Sequence, residues 1–253
     1  MSLQPFGVWA AHRPLSAHDL HEIGGYRLPA RLGAGGSGVV YLAHTPGGRP
    51  GALQVVREGF AADPEFRRRC AGEVARARSI HGLFTAQVVD SGVDAPTPWL
   101  ATAHVAGPSL RQVVDRLGPL PVRTVLLLVA GATEAPQAIH GAGVVHRDPK
   151  PANVLITEDG LRGNDFGIAR AADATGLTGA RLWIGSAASM APEQATGRTV
   201  TPATDVFALG VPAAYMAGGA LPFGDGPQSA ALCRVVHEEP DLSRVPPDPA
   251  EPL

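Results

Sequence analysis

The run His146-Arg147-Asp148-Pro149-Lys150-Pro151-Ala152-Asn153 decides how the rest of the chain is interpreted. It places an acid, a lysine and an amide within eight residues, and the short strings Asp165-Phe166-Gly167 and Ala191-Pro192-Glu193 follow it along the chain. Of the 21 basic residues, Lys150 is the only lysine, and all the others are arginine. A chain that otherwise uses arginine has therefore kept one compact ammonium group beside Asp148.

A glycine-rich string, Gly33-Ala34-Gly35-Gly36-Ser37-Gly38-Val39-Val40, lies upstream between two strand-like runs. Glycines allow the backbone to approach phosphate groups closely, so that bare N–H groups bind the oxygens. Taken alone, the string also fits an ordinary hairpin turn. A dinucleotide-binding fold requires a helix directly after the glycines, whereas Val39 to Ala43 predicts a strand.

These motifs, in this order, resemble the signature set of protein kinases. The segments Lys150 to Leu155, Asp165 to Arg170 and Met190 to Ala195 are similar to those of bacterial eukaryotic-like Ser/Thr protein kinases of the actinobacterial type. The alternative is a generic α/β domain in which four unrelated loops match these motifs by coincidence, and in the same order. The resemblance covers roughly Tyr26 to Arg244 and implies an α+β, two-lobed fold, with a small antiparallel β lobe carrying one main helix and a mainly helical large lobe.

The resemblance also implies a reaction, the transfer of the γ-phosphoryl group of ATP to Ser/Thr hydroxyls of proteins. By this resemblance Asp148 accepts or orients the proton of the substrate hydroxyl, and Lys150 contacts the γ-phosphate. Asn153 and Asp165 supply oxygen ligands for Mg2+, a hard cation that prefers such oxygens. The resemblance further assigns the nucleotide to residues of the small lobe, namely Gly33, Gly35, Gly38, Val40, Ala52, Gln54, Glu73 and the backbone of Ala103 and Val105.

Other residues match the family more weakly. Ser186 matches a hydroxyl near the end of the activation segment, and Thr175 and Thr178 are candidate phosphorylation sites. Asp205 matches the acid that opens the central helix of the large lobe, although an ordinary N-cap is an equal alternative. The histidines other than His146 are predicted to be surface or loop residues.

The third strand departs from the family pattern. Where a V-A-x-K string is expected, the sequence reads Gly51-Ala52-Leu53-Gln54, so Gln54 stands in place of the lysine that pairs with the α/β-phosphates and with Glu73. Glutamine forms hydrogen bonds but brings no positive charge. Glu73 lies seven residues after Phe66, on the predicted apolar stripe of its helix, and there needs a partner.

Three prolines depart from the pattern as well. Pro136 and Pro212 fall inside predicted helices, where each costs about 3 kcal/mol, and Pro149 constrains the backbone of Asp148. The sequence ends at Leu253, before the last helices expected of a large lobe, so we expect a truncated lobe.

The pattern along the chain predicts its organisation. Residues 1–25 are predicted to be an irregular extension, 26–105 the N-lobe and 106–253 a truncated C-lobe. Strands are expected over Tyr26–Leu32, Val39–Ala43, Ala52–Arg57 and Trp99–Val105. A helix is expected from Asp63, an N-cap followed by proline at the first helical position, to about Ile80. Further helices are expected over Ser109–Leu117, Pro121–Gly141 and Asp205–Ala217.

Composition narrows the classes of partner and the cellular location that we expect. The 253 residues carry a net charge of −2, so no basic field favours nucleic acid as a partner. The two cysteines, Cys70 and Cys233, are far apart, and no apolar run is long enough to span a bilayer. We therefore expect a cytoplasmic protein with ATP and a Ser/Thr-containing protein as partners, and with no membrane segment.

Three functional hypotheses follow from these observations. The first is an active Ser/Thr kinase, supported by Asp148, Lys150, Asn153 and Asp165. The second is a pseudokinase that binds nucleotide or a partner, supported by Gln54. The third is a degenerate copy that does not fold stably, supported by the prolines and the early end of the sequence.

Overall fold

The computed structural model describes residues 12–34, 38–78, 86–132, 150–163 and 187–247, without the side chains of Glu73, Arg76, Ala132 and Asp205. The chain divides into two compact units, and the described residues up to 107 form the first, those from 108 onward the second. Within these ranges no helix is both long and apolar enough to cross a membrane.

The first unit is built on a six-stranded antiparallel sheet. Its strands are β1 (Glu22–Ile23), β2 (Tyr26–Ala34), β3 (Gly38–His44), β4 (Pro50–Val56), β5 (Val88–Gly92) and β6 (Trp99–Ala103), and their order in the sheet is β1-β2-β3-β4-β6-β5. The short helix α1 (Glu58–Ala61) and the longer α2 (Pro64–Arg78) follow β4. An antiparallel β unit with one main helix is thus confirmed.

Each face of this sheet has its own apolar cluster, because side chains alternate along a strand. One cluster contains Tyr41, Leu53 and Trp99 among other buried residues. The opposite cluster joins Val56 and Leu100 of the sheet to residues of α2, namely Phe66, Cys70, Val74 and Ala77. Helix α2 therefore packs on the face of the sheet that carries Val56 and Leu100.

Helix α2 is fixed at its N-terminal end by polar contacts. The predicted cap is observed, since Asp63 Oδ1 accepts a hydrogen bond of 2.9 Å from Glu65 N–H. The Arg67 guanidinium donates to four backbone carbonyl groups, at distances of 2.7 to 3.1 Å, and three of these lie in the β5–β6 turn (Ala61, Val93, Ala95 and Pro96). Helix α2 is thereby tied to that turn as well as to the sheet.

The second unit is mainly helical. It contains α3 (Leu110–Leu117), α4 (Val122–Ala132), the hairpin β7 (Val154–Thr157) and β8 (Gly160–Gly163), a 3-10 turn (Ala187–Ser189), α5 (Pro192–Ala195), α6 (Pro202–Gly218) and α7 (Gln228–His237). Its core gathers buried residues from α3, α4, the hairpin, α6 and α7, including Leu110, Val125, Leu161, Met216 and Val235.

Two helix boundaries in this unit have clear local causes. Ser109 caps α3, because its hydroxyl accepts from Gln112 N–H while the Gln112 side chain accepts from Ser109 N–H. Helix α6 ends at Gly218 and is followed by Gly219, whose φ of 73° suits a glycine.

Helix α6 differs from the prediction at two points. It begins at Pro202, with Thr201 as the residue before the first turn, so the N-cap alternative for Asp205 is wrong. It also continues through buried Pro212, which interrupts the hydrogen-bond ladder without ending the helix. Pro136 and Pro149 lie outside the described residues.

Candidate active site

The glycine-rich string forms the connection between β2 and β3, with Gly35, Gly36 and Ser37 outside the described residues. Gly38 packs so closely on β4 that a Cβ atom there would lie 2.0 Å from the carbonyl oxygen of Val55. At Gly33, by contrast, a Cβ would meet no described atom within 4 Å. The two glycines therefore differ in why a side chain is absent. At Gly38 the packing of the strands leaves no room for a Cβ atom, whereas Gly33 has open space beside its backbone.

Val40, Ala52 and Gln54 share one face of the sheet. Val40 is opposite Gln54 across the β3–β4 ladder, and Gln54 is opposite Leu100 across the β4–β6 ladder. Residues directly opposite each other in a ladder, and residues two apart in one strand, point to the same side. This is the face of Leu100 and Val56, on which α2 packs, and half-buried Gln54 brings no positive charge to it.

Thr102 belongs to the same face and was not singled out from the sequence. It is opposite Ala52, it is buried, and its hydroxyl donates to the Ala52 carbonyl at 3.4 Å. Strand alternation from Leu100 would have identified it as a polar side chain beside Ala52.

Ala103 and Val105 follow at the end of β6. The N–H of Ala103 donates to the Gln87 carbonyl at 2.8 Å, so a contact of Ala103 with an adenine edge would use its carbonyl group. Between these two residues lies His104, which belongs to a loop, as predicted, and is half-buried. Burial lowers the pKa of His104, and the nearby His12 and His44 lower it further, so its neutral form is favoured.

Glu73 lies on α2, and the structure describes its backbone only. The helix around it is held by Phe66, Cys70 and Val74 against the sheet. The helix backbone that carries Glu73 is therefore held beside the sheet, while the pairing of the Glu73 side chain with Gln54 stays a prediction.

Lys150 and Asn153 belong to one turn of the second unit. Asn153 N–H donates to the Lys150 carbonyl at 2.8 Å, and Asn153 directly precedes β7. The turn is attached to α3, because the carbonyl of buried Pro151 accepts from Arg111 N–H at 3.1 Å. Asp148 and Asp165 are outside the described residues, as are Ser186, Thr175 and Thr178.

Hydrogen bonds link the segment Ala191-Pro192-Glu193 to the start of α6. Buried Thr204 donates its hydroxyl proton to Glu193 Oε1, and the hydroxyl oxygen of Thr204 accepts from Thr201 N–H at 3.1 Å. Thr204 had no predicted role, and no spacing rule in the sequence connects it to Glu193. It links the segment containing Glu193 with the N-terminus of the long helix.

Comparisons with known proteins agree with this arrangement. A protein-family model described as "Protein kinase domain" matches residues 26–250. The Ser/Thr protein kinase AfsK of Streptomyces griseus is 46% identical over 235 residues, which are 92% of this chain and 29% of that kinase. The probable Ser/Thr protein kinase PkwA of Thermomonospora curvata is 45% identical, over 93% of this chain and 32% of its own length. The chain thus spans about a third of the length of these relatives.

A solved structure agrees as well. The crystal structure of the Mycobacterium tuberculosis PknI kinase domain matches with a TM-score of 0.64 at 31% identity, covering 87% of this chain and 91% of that domain. The order of the motifs, the β unit with its single long helix, the helical unit and the extent of the family match lead to one conclusion. The chain belongs to the protein kinase family, with Ser/Thr protein kinases of actinobacteria among its relatives.

Proposed function

We propose that this chain transfers the γ-phosphoryl group of ATP to Ser/Thr hydroxyls of proteins. The observation that carries the proposal is the Lys150–Asn153 turn, which holds an ammonium group and an amide oxygen within one hydrogen-bonded turn before β7. Phosphoryl transfer needs charge neutralisation and alignment more than covalent chemistry, and these two side chains are suited to both tasks.

In this proposal the larger unit handles the reacting groups. Asp148 orients the substrate hydroxyl and takes its proton, and Lys150 neutralises charge on the γ-phosphate. Asn153 and Asp165 fit Mg2+, because an amide oxygen and a carboxylate are the hard oxygen donors that this ion prefers. When bound, Mg2+ supplies positive charge to the phosphate oxygens.

The smaller unit binds the nucleotide. Gly33, Gly35 and Gly38 bring backbone N–H groups to the phosphates, and the open space beside Gly33 supports this role. Val40 and Ala52 contact the adenine ring from the sheet, and the backbone of Ala103 and Val105 meets its edge. Residues 26–105 and 106–253 are the corresponding N- and C-lobes.

Gln54 supports a second candidate function, that of a pseudokinase. Glutamine at this point of β4 offers hydrogen bonds to a phosphate or to Glu73 but adds no positive charge beside either. A domain with this residue binds nucleotide or a partner protein while transferring phosphate slowly or not at all. We prefer the active kinase because Lys150 and Asn153 are both kept.

A transfer assay separates the two functions. The chain is incubated with γ-labelled ATP, Mg2+ and a Ser/Thr-containing protein, beside an Asp148→Asn variant. The proposal expects label on the substrate with the wild type and a loss of at least about 100-fold in the variant. Equal labelling in both would overturn the kinase function.

If no phosphoryl transfer is observed, a thermal melt with and without Mg-ATP separates the pseudokinase from the degenerate copy. A ligand that binds only the folded state raises the Tm. A cooperative melt that shifts upward without transfer supports the pseudokinase. Absence of any cooperative transition supports the degenerate copy.

A further inference from the structure

Asp19, in the N-terminal extension, is a buried carboxylate that is surrounded by hydrogen-bond donors. The side chain of Asp19 is 1% exposed. Its Oδ2 accepts from Ser16 N–H at 2.6 Å and from the Ser16 hydroxyl at 2.9 Å. Its Oδ1 accepts from the Tyr41 hydroxyl at 2.7 Å and forms an ion pair with the Arg31 guanidinium. Both carboxylate oxygens therefore have two donors each.

The extension around Asp19 is attached to the sheet, although it was predicted to be irregular. We call residues 13–23 the N-terminal strap. Arg13 and Arg31 exchange two backbone hydrogen bonds of 2.9 Å, and Leu28 N–H donates to the His21 carbonyl at 2.8 Å. Leu15 and Ile23 pack against the apolar cluster of the sheet. Asp19 is the polar centre of this attachment.

The contacts of Asp19 lie at the root of the glycine-rich hairpin. Arg31 of β2 and Tyr41 of β3 are directly opposite each other, and the next pair toward the hairpin tip is Gly33 with Val40. The register shifts between these two pairs, so an extra residue, Leu32, interrupts the ladder on β2. Asp19 therefore bridges the two strands beside an irregular step of their ladder.

A bridge at this step has a mechanical consequence. A bulge leaves the local pairing disrupted and bends its strand, so the ladder alone fixes the relative position of the two strand ends, at Gly33 and Val40, less strictly. A carboxylate that binds one side chain from each strand fixes their separation there. Charge-assisted hydrogen bonds in a buried setting are the stronger kind, which suits such a bridge.

We propose that Asp19 is a positioning residue of the nucleotide site, which acts through Arg31 and Tyr41 to fix the root of the glycine-rich hairpin and so raises the affinity for the nucleotide phosphates. The inference rests on the proposed function, because it assigns the hairpin to phosphate binding. The strap is then part of the nucleotide-binding unit rather than an appendage of it.

The charge states at neutral pH agree with a permanent bridge. The Arg31 guanidinium, together with the hydroxyl of Tyr41, holds the pKa of Asp19 well below its usual range despite its burial. Burial, and then the hydrogen bond to Asp19, raise the pKa of Tyr41 to about 12. Asp19 is ionised and Tyr41 protonated at neutral pH, as their hydrogen bond requires.

The test compares three single variants of the full chain with the wild type. Asp19→Asn keeps the shape but removes the charge, and Tyr41→Phe removes one donor. Asp94→Asn is the control, because Asp94 is an exposed acid of the same unit. Two quantities are measured: amide hydrogen exchange over residues 13–31, 38–41 and 64–78, and the Kd of a fluorescent ATP analogue with Mg2+.

The expected result is graded. Asp19→Asn raises the Kd by about five- to tenfold, Tyr41→Phe by less, and Asp94→Asn leaves it unchanged. In Asp19→Asn the exchange accelerates over residues 13–31 and 38–41, while residues 64–78 of α2 keep their protection, which shows that the unit is folded.

Two results would overturn the inference. One is faster exchange in the strap with an unchanged Kd, which reduces Asp19 to a stabilising role. The other is unchanged exchange over residues 38–41, which means that the strap and the hairpin are independent. If the wild type fails to bind the analogue, the proposed function fails, and the exchange over 38–41 still decides whether Asp19 fixes the hairpin.

Discussion

The two compact units keep different parts of the family's phosphate-handling residues. The larger unit has Lys150 and Asn153 in one hydrogen-bonded turn, so an ammonium group and an amide oxygen are both present. The smaller unit keeps the glycines of the glycine-rich string but has uncharged Gln54 on the strand where the family has lysine. The difference teaches that membership of the family and efficiency of phosphate transfer are separate questions, and each unit offers a residue, Lys150 or Gln54, with which to test the second.

The largest effect is expected when the ammonium group of Lys150 is removed from the larger unit. Lys150→Met is expected to reduce phosphoryl transfer by about 100- to 1,000-fold, because a positioned charge on a developing anion contributes about 3–4 kcal/mol. Initial rates of label transfer measure it. Arg198→Met removes an exposed cation from the same unit and is the matched control. A Lys150→Met variant with wild-type rate would contradict the division between the units.

The next effect concerns stability and the two glycines of the smaller unit. Gly38→Ala is expected to destabilise the fold by about 3 kcal/mol, or roughly 6–12 °C in Tm, because its Cβ would overlap the Val55 carbonyl oxygen. Gly33→Ala has free space and should lower the Tm by at most about 2 °C while weakening Mg-ATP binding. Thermal melts with and without Mg-ATP measure both. Equal Tm losses in the two variants would show that the glycines do not have separate roles.

A smaller effect is expected from restoring the missing charge. Gln54→Lys should raise phosphoryl transfer by about tenfold, since one added ion pair with a phosphate contributes on the order of 1.4 kcal/mol. Gln54→Met, which is similar in length and uncharged, controls for the change of side chain and should not raise the rate. A Gln54→Lys variant that transfers no faster than the wild type would mean that the charge of the smaller unit does not limit activity.

The smallest effect is a shift in alkaline titration. Burial, and a hydrogen bond to a carboxylate, raise the pKa of Tyr41 and of Tyr215 to about 12, with Asp19 and Asp115 as the respective acceptors. Burial, and then Asp90, also raise the pKa of Tyr26. A raised pKa stabilises the fold below the ordinary value of about 10, and this contribution is lost as the pH rises above it.

Tyrosinate absorbance measures this effect. The folded chain should show little tyrosinate at about pH 10, where the chain in denaturant is half titrated. Because these three are all the tyrosines of the sequence, the signal has no other source. Half-titration of the folded chain at about pH 10 would contradict the buried tyrosine–carboxylate pairs of both units.

The parts of the fold that follow from local sequence were predictable. Strand alternation and turn glycines identified β2, β3 and β4 to within a few residues, and the Asp63-Pro64 signal identified the start of α2. Motif order identified Lys150 and Asn153 as neighbours because they are close in the sequence. These features depend on residues within a few positions of each other.

The parts that depend on distant contacts were not predictable. Asp19 gains its role only when the chain brings it to Arg31 and Tyr41, 12 and 22 residues away. Thr204 meets Glu193 in the same way, 11 residues apart. Pro212 was expected to disturb α6, but the helix continues because it is embedded in the core of its unit. Helix α7, Gln228 to His237, was not predicted.

The measurement that tests the central claim most directly identifies the amino acid that receives phosphate. The wild-type chain and Asp148→Asn are incubated with Mg-ATP and a Ser/Thr-containing protein, and the modified residues are determined by mass spectrometry. The account predicts phosphoserine or phosphothreonine with the wild type and its loss in Asp148→Asn. Phosphorylation of the same residues to the same extent by Asp148→Asn, or none with either chain, would contradict it.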